Sequence, residues 1–238
     1  MLKKTIFITI TLCLLSLLTA PAVAAQTAGS RPDEPTETEK KNEKDTVRKI
    51  LFIGDSMTGW LAEALNGYGK QNGFDVATVV WDGSTIQKWG KSPKLTQIIE
   101  QQDPDAVFVS LGMNELFDTK PEHLKSSLND IVKAVGDRHL LWVGPPSWNG
   151  KTQGDILNKW LDEQLGGDVF FRSFDLKLPR QSASNVHPSR QGMIDWVDAI
   201  IDWIPEHASF GLPGYDKPAG QKMVRPKTFI YKRMKESL

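Results

Sequence analysis

The sequence predicts an α/β fold: a five-stranded parallel sheet covered by helices on both faces. Two observations predict it. Short apolar runs, rich in β-branched and aromatic residues, alternate along the chain with longer segments whose apolar residues recur at helical spacing. Each apolar run also ends in a Gly-containing or polar loop, as buried strands of a parallel sheet do before a crossover helix. No internal repeat interrupts the alternation.

The elements follow in order. KILFI (49–53) reads as the first buried strand. Residues 57–71 carry apolar side chains at 57, 61, 64, 65 and 68, the spacing of a helix that Gly73 would end. VATVV (76–80) is the second strand. Residues 95–101 read as a short helix and AVFVSL (106–111) as the third strand. A helix over 121–135 begins with Pro in its first turn. HLLWVG (139–144) is the fourth strand, 156–165 a helix and VFFRSF (169–174) the fifth strand. Residues 188–204 read as the last helix.

The ends of the chain read differently. Residues 1–25 combine a basic start, an apolar stretch and the small-residue run APAVAAQ, the pattern of a cleaved signal peptide. The expected location is periplasmic or secreted, in a bacterium, with no stable membrane span after cleavage. The single cysteine, Cys13, lies inside that segment, so the mature chain would have no thiol chemistry. Residues 26–47 lack large apolar side chains and read as a flexible linker. The folded domain is expected over 48–204. Residues 205–238 form a basic extension; its part from 213 onward holds seven Lys or Arg against two Asp or Glu. A solvated segment is its default reading, with contact to an acidic partner as the alternative. The chain has 29 acidic and 29 basic residues, a balance that gives no reason to expect nucleic acid as a partner.

In a parallel α/β sheet the reacting groups collect on loops at the carboxyl ends of the strands. Here those ends carry Gly54-Asp55-Ser56, Trp81-Asp82-Gly83, Gly112-Met113-Asn114-Glu115, Gly144-Pro145-Pro146-Ser147-Trp148 and Ser184-Asn185-Val186-His187. A serine hydroxyl becomes a nucleophile when a base such as neutral imidazole takes its proton. Attack on an ester carbonyl creates an oxyanion. The backbone N–H groups of Ser56 and Gly83 and the Asn114 side-chain amide are candidate donors to it, each worth about 3 to 4 kcal/mol of barrier. Taken singly, Ser56 reads as a helix cap, Gly83 as a turn former and Asn114 as bonded to its own loop. Taken together, they stand at successive strand ends in the order one mechanism requires.

These blocks, GDSM, a lone Gly after the second strand, GMNE and VHPSRQG, resemble the four blocks of the SGNH (GDSL-like) hydrolases over residues 48–204. The resemblance implies a flavodoxin-like three-layer α/β/α sandwich and serine ester hydrolysis, often deacetylation. It carries the nucleophile onto Ser56, the oxyanion donors onto Ser56, Gly83 and Asn114, and the base onto His187. One position departs: the family's Asp three residues before the His is Ser184 here. Either Ser184 or a backbone carbonyl orients His187, or Asp175 substitutes, or the site is degenerate.

Asp55, Trp81, Trp89 and Trp148 lie in or near the edge loops and are candidate substrate contacts; the Trp residues equally suit packing of loops on the sheet. The polar segments 83–92 and 145–155 read as walls of a cleft. No grouping has metal-ligand spacing and no glycine pattern suits a dinucleotide, so neither metal nor cofactor is expected. The expected activity is hydrolysis of a small acyl ester, acetyl foremost, with a cell-envelope or other glycan as the alcohol. The alternatives are an O-acyltransferase using the same site, a non-catalytic glycan-binding protein and an envelope assembly factor acting through the basic tail.

Overall fold

Alternate side chains of the strands enter different apolar layers, and this decides the architecture. Ile50 and Phe52 join one buried cluster with the helices over Thr58–Asn72 and Arg190–His207. Leu51 and Ile53 join a second cluster with residues from the helices between them in sequence. A strand buried on both faces needs helices on both faces, and the result is a three-layer α/β/α sandwich. The computed structural model describes residues 46–148, 154–236 and 238. The expected signal peptide and linker residues 26–45 lie outside the described residues, as do positions 149–153 of one expected cleft wall.

The strands are β1 (Lys49–Gly54), β2 (Asp75–Trp81), β3 (Ala106–Ser110), β4 (His139–Val143), β5 (Phe170–Phe171) and β6 (Phe229–Lys232). The helices are α1 (Thr58–Asn72), α2 (Ile86–Gly90), α3 (Leu95–Gln102), α4 (Lys125–Val135), α5 (Gly154–Leu165) and α6 (Arg190–His207). All strand pairs are parallel, in the order β5-β4-β3-β1-β2-β6. The order 2-1-3-4-5 is the flavodoxin-like doubly wound arrangement. Its switch point lies between β1 and β3, where such sheets open a crevice beyond their carboxyl ends. Among the described residues no helix is long and apolar enough to cross a membrane.

The sheet has six strands rather than the expected five, and the sixth comes from the C-terminal extension. Phe229 to Lys232 pair with Thr78 to Trp81 along β2. Upstream, Val224 N–H donates to the Glu63 carbonyl at 2.9 Å, Asn66 Nδ2 donates to the Val224 carbonyl at 3.0 Å, and Met223 is buried. Residues 223–232 are therefore docked on α1 and β2 through Met223, Val224 and the β2–β6 pairing, with Arg225, Lys227, Ile230 and Tyr231 exposed on the docked segment. The fold also begins before Arg48: Val47 is buried, and its N–H donates to the Gly211 carbonyl at 2.9 Å.

Other differences are local. The expected helix over 121–135 opens as a 3₁₀ turn (Pro121–Leu124) before α4. The fifth strand shortens to Phe170–Phe171. The segment read as a polar wall, 83–92, contains α2, whose N-cap Thr85 side chain accepts from Lys88 N–H at 3.1 Å. α6 starts at Arg190 with Ser189 as its N-cap, whose hydroxyl accepts from Gly192 N–H at 3.2 Å.

Candidate active site

β1 ends in a turn that leaves Ser56 unoccupied by structural work. Gly54 has φ 154°, and a Cβ there would stand 2.0 Å from the Ser110 carbonyl oxygen, so only glycine lets β1 and β3 approach this closely. Asp55 N–H donates to that same carbonyl at 3.1 Å, and the Asp55 carbonyl accepts from Thr58 N–H at 3.1 Å. The Asp55 side chain accepts from Met57 N–H at 2.9 Å through Oδ1. The cap of α1 is Met57, with no side-chain cap bond, so Ser56 is not a capping residue. Its hydroxyl is bonded instead to His187: Nε2 and Oγ are 2.8 Å apart.

His187 reaches Ser56 from the loop before α6. Its N–H donates to Asn185 Oδ1 at 3.0 Å. Arg180 holds the same loop, donating to the Val186 carbonyl and, at 2.9 Å, to the Ser147 carbonyl after β4. Burial holds the His187 imidazole below its ordinary pKa; the Asp82 carboxylate pulls the other way and the Arg180 guanidinium adds to the lowering. A neutral ring at neutral pH is the form that accepts a proton.

Neither expected orienting side chain touches the ring. The Ser184 hydroxyl is exposed and bonds that of Ser182 at 3.1 Å. Asp175 accepts from Arg172 Nε at 2.7 Å, an ion pair at the surface. Among the described residues His187 Nδ1 meets no hydrogen-bond acceptor.

The candidate oxyanion donors occupy three strand ends. Among the described residues no acceptor meets Ser56 N–H or Gly83 N–H. Gly83 sits in a turn at φ 62°, with the Met234 side chain against its Cα. Asn114 Nδ2 donates one N–H to the Ser84 carbonyl at 2.8 Å; its amide carries a second. Glu115 ties this loop to the Gly83 loop, accepting from Ile86 N–H at 2.8 Å. Burial pushes the Glu115 carboxyl up to about 7.

The expected substrate contacts divide. Asp55 is 1% exposed and Oδ2 has no partner among the described residues; it braces the turn from beneath. Burial pushes its carboxyl up to about 7. Trp89 is fully buried, its Nε1 donating to Ser84 Oγ at 2.8 Å. Trp81 is 7% exposed and packs edge-on against Trp89. Both rings belong to the core under the sheet edge, because their bodies fill the layer below α2. Trp148 stacks on Phe117, with ring centroids 6.1 Å apart.

Ser56 and His187 open into a cleft of about 720 Å³. Its aromatic surface comes from residues the sequence reading missed: Trp60, Phe229 and Tyr231, with Glu63, Asp82 and Arg225 as charged neighbours. Trp60 had a signal, since it stands four positions beyond Ser56 in the following helix. Phe229 and Tyr231 had one too, a period-two alternation of aromatic residues around Ile230.

No protein-family model matches the sequence, and no curated protein matches it in sequence. Solved structures match the fold. A G-D-S-L family protein from Desulfitobacterium hafniense DCB-2 aligns with a TM-score of 0.50 and 14% identity, over 64% of this chain and 97% of that one. TesA aligns with a TM-score of 0.49 and 18% identity, over 66% of this chain and 98% of that one. BT4096, a gut microbial diltiazem-metabolizing enzyme, gives a TM-score of 0.46 and 13% identity, over 68% of this chain and 47% of that one. The chain thus has an SGNH (GDSL) hydrolase-like fold.

Proposed function

We propose that this protein is a serine ester hydrolase of the SGNH type, acting on a small acyl ester, acetyl foremost, carried by a glycan. The observation that carries the reading is the 2.8 Å contact between His187 Nε2 and Ser56 Oγ at the floor of an open cleft. As Ser56 Oγ attacks the acyl carbon, His187 Nε2 takes its proton. The carbonyl oxygen becomes an oxyanion, held by Ser56 N–H, Gly83 N–H and Asn114 Nδ2. Collapse breaks the C–O bond to the alcohol, which leaves with the proton from His187. Water, deprotonated by the same imidazole, then attacks the acyl-serine and frees the carboxylic acid and Ser56.

Among the described residues no carboxylate orients the imidazolium at Nδ1. The Asp82 charge is the favourable one facing it. An intermediate supported only through space is less stabilised than one hydrogen-bonded to an acid, so turnover is slower than with a complete triad.

Hydrolysis of 4-nitrophenyl acetate tests the reading. Ser56→Ala and His187→Ala each lower kcat by about 10³-fold or more. Turnover unchanged in Ser56→Ala contradicts it. Nδ1 meets no acceptor among the described residues, which favours one second reading, a glycan-binding protein without catalysis. Glycan binding by a wild-type protein that turns over no ester would support that reading.

A further inference from the structure

The C-terminal segment does more than close the sheet edge. β6 runs parallel to β2, so its residues alternate between the two faces. Phe229 and Tyr231 lie on the face that lines the Ser56 cleft, with Val80 of β2 beside them. Gly59 on α1 faces the Phe229 ring, and a Cβ there would stand 3.5 Å from it, an ordinary van der Waals contact. The Asp82 N–H donates to the Lys232 carbonyl at 2.9 Å. The tail is thereby fastened to the loop that carries Gly83.

Two features of this wall are open to a ligand. Trp60 and Tyr231 are large aromatics left 44% and 52% exposed, both on the cleft. The Arg225 guanidinium lies 3.9 Å over the Phe229 ring, and no carboxylate of a described residue pairs with it. Glu63 and Asp82 line the same cleft. Aromatic faces beside both acceptors and a donor fork suit a ring that is apolar on its C–H face and hydroxylated at its rim. Two carboxylates beside one guanidinium disfavour an anionic ligand over a neutral polyol.

We propose that residues 225–231, together with Trp60, form the subsite for the alcohol portion of the ester, and that this portion is a neutral sugar ring stacked on Tyr231 or Trp60 with hydroxyls bonded by Arg225 and Glu63. This rests on the esterase reading for the chemistry but not for the binding.

The test uses the full chain with Tyr231→Ala, Tyr231→Phe and Arg225→Ala, and two esters: 4-nitrophenyl acetate and O-acetylated xylo-oligosaccharides. Tyr231→Ala lowers kcat/KM for the oligosaccharide ester by about tenfold, mainly through KM, and for the aryl ester by no more than about threefold. Tyr231→Phe, which keeps the ring, restores most of the oligosaccharide activity. Arg225→Ala lowers the oligosaccharide value by about five- to tenfold. Equal losses on both esters, or none on the oligosaccharide, overturn the subsite. Calorimetric titration of Ser56→Ala with the same oligosaccharides reads binding without chemistry. Binding that Tyr231→Ala weakens by about tenfold supports the subsite even if no ester is turned over; absence of binding overturns it.

Discussion

Asp55 Oδ1 accepts the Met57 N–H at 2.9 Å, bridging across the residue between them. A buried acid, not the serine, thus takes over the local bond at the start of α1, and the Ser56 hydroxyl is left to His187. The other oxygen of Asp55 has no partner among the described residues. Desolvation pushes the carboxyl up to about 7.

That shift has a sign for stability. The folded chain keeps a proton on Asp55 between the ordinary value of 3.8 and about 7, where the unfolded chain has lost it. Stability contributed by this group is therefore full below about 3.8 and falls as pH rises toward 7. Glu115, also pushed up to about 7, acts in the same direction. Asp55→Asn can still accept from Met57 N–H and cannot ionise. It flattens the decline between pH 4 and 7 and raises stability at pH 8 by about 1 kcal/mol or more, relative to wild type. Urea unfolding at a series of pH values checks this; parallel curves for the two proteins would contradict it.

His187 sets the acidic limb of the activity profile. Burial and Arg180 hold its pKa down while Asp82 holds it up. The limb of kcat/KM lies below the ordinary histidine value of 6.5. Asp82→Asn removes the attraction for the imidazolium, so the limb moves lower still and kcat falls. Stopped pH series on 4-nitrophenyl acetate measure both; a limb that moves upward in Asp82→Asn contradicts the assignment of that charge.

Ser184 and Asp175 do not touch the imidazole; their partners are Ser182 and Arg172. Ser184→Ala and Asp175→Ala each change kcat by less than about twofold. A loss of a hundredfold in either would show that the side chain reaches His187 during turnover.

The central layers were legible because their signals are local and repeated. β1, β2, β3 and β4 are short apolar runs, and α1, α5 and α6 carry apolar stripes, so their limits fall within a few residues of expectation. Ser56 and His187 were legible as residue types at strand ends, although 131 positions separate them. β6 was not. Phe229 to Lys232 lies between Lys227 and Arg233 in a basic, Pro-containing stretch. Its pairing depends on an edge of β2 that only the folded sheet exposes. Which of the two readings of the tryptophans holds was not legible, for a related reason. Trp89 enters the core because Ser84 offers its Nε1 an acceptor and α2 turns it inward, and neither fact is visible in composition. Trp60, outside the edge loops, faces the cleft instead.

The proposed mechanism makes Ser56 a nucleophile activated by His187. Reaction with a fluorophosphonate followed by mass spectrometry of the digested protein tests it most directly, because the reagent needs both an activated hydroxyl and an oxyanion site but no particular substrate. One adduct is expected, on Ser56, formed faster as His187 loses its proton and absent in His187→Ala. An unlabelled Ser56 in the intact wild-type protein at pH 8 would contradict it.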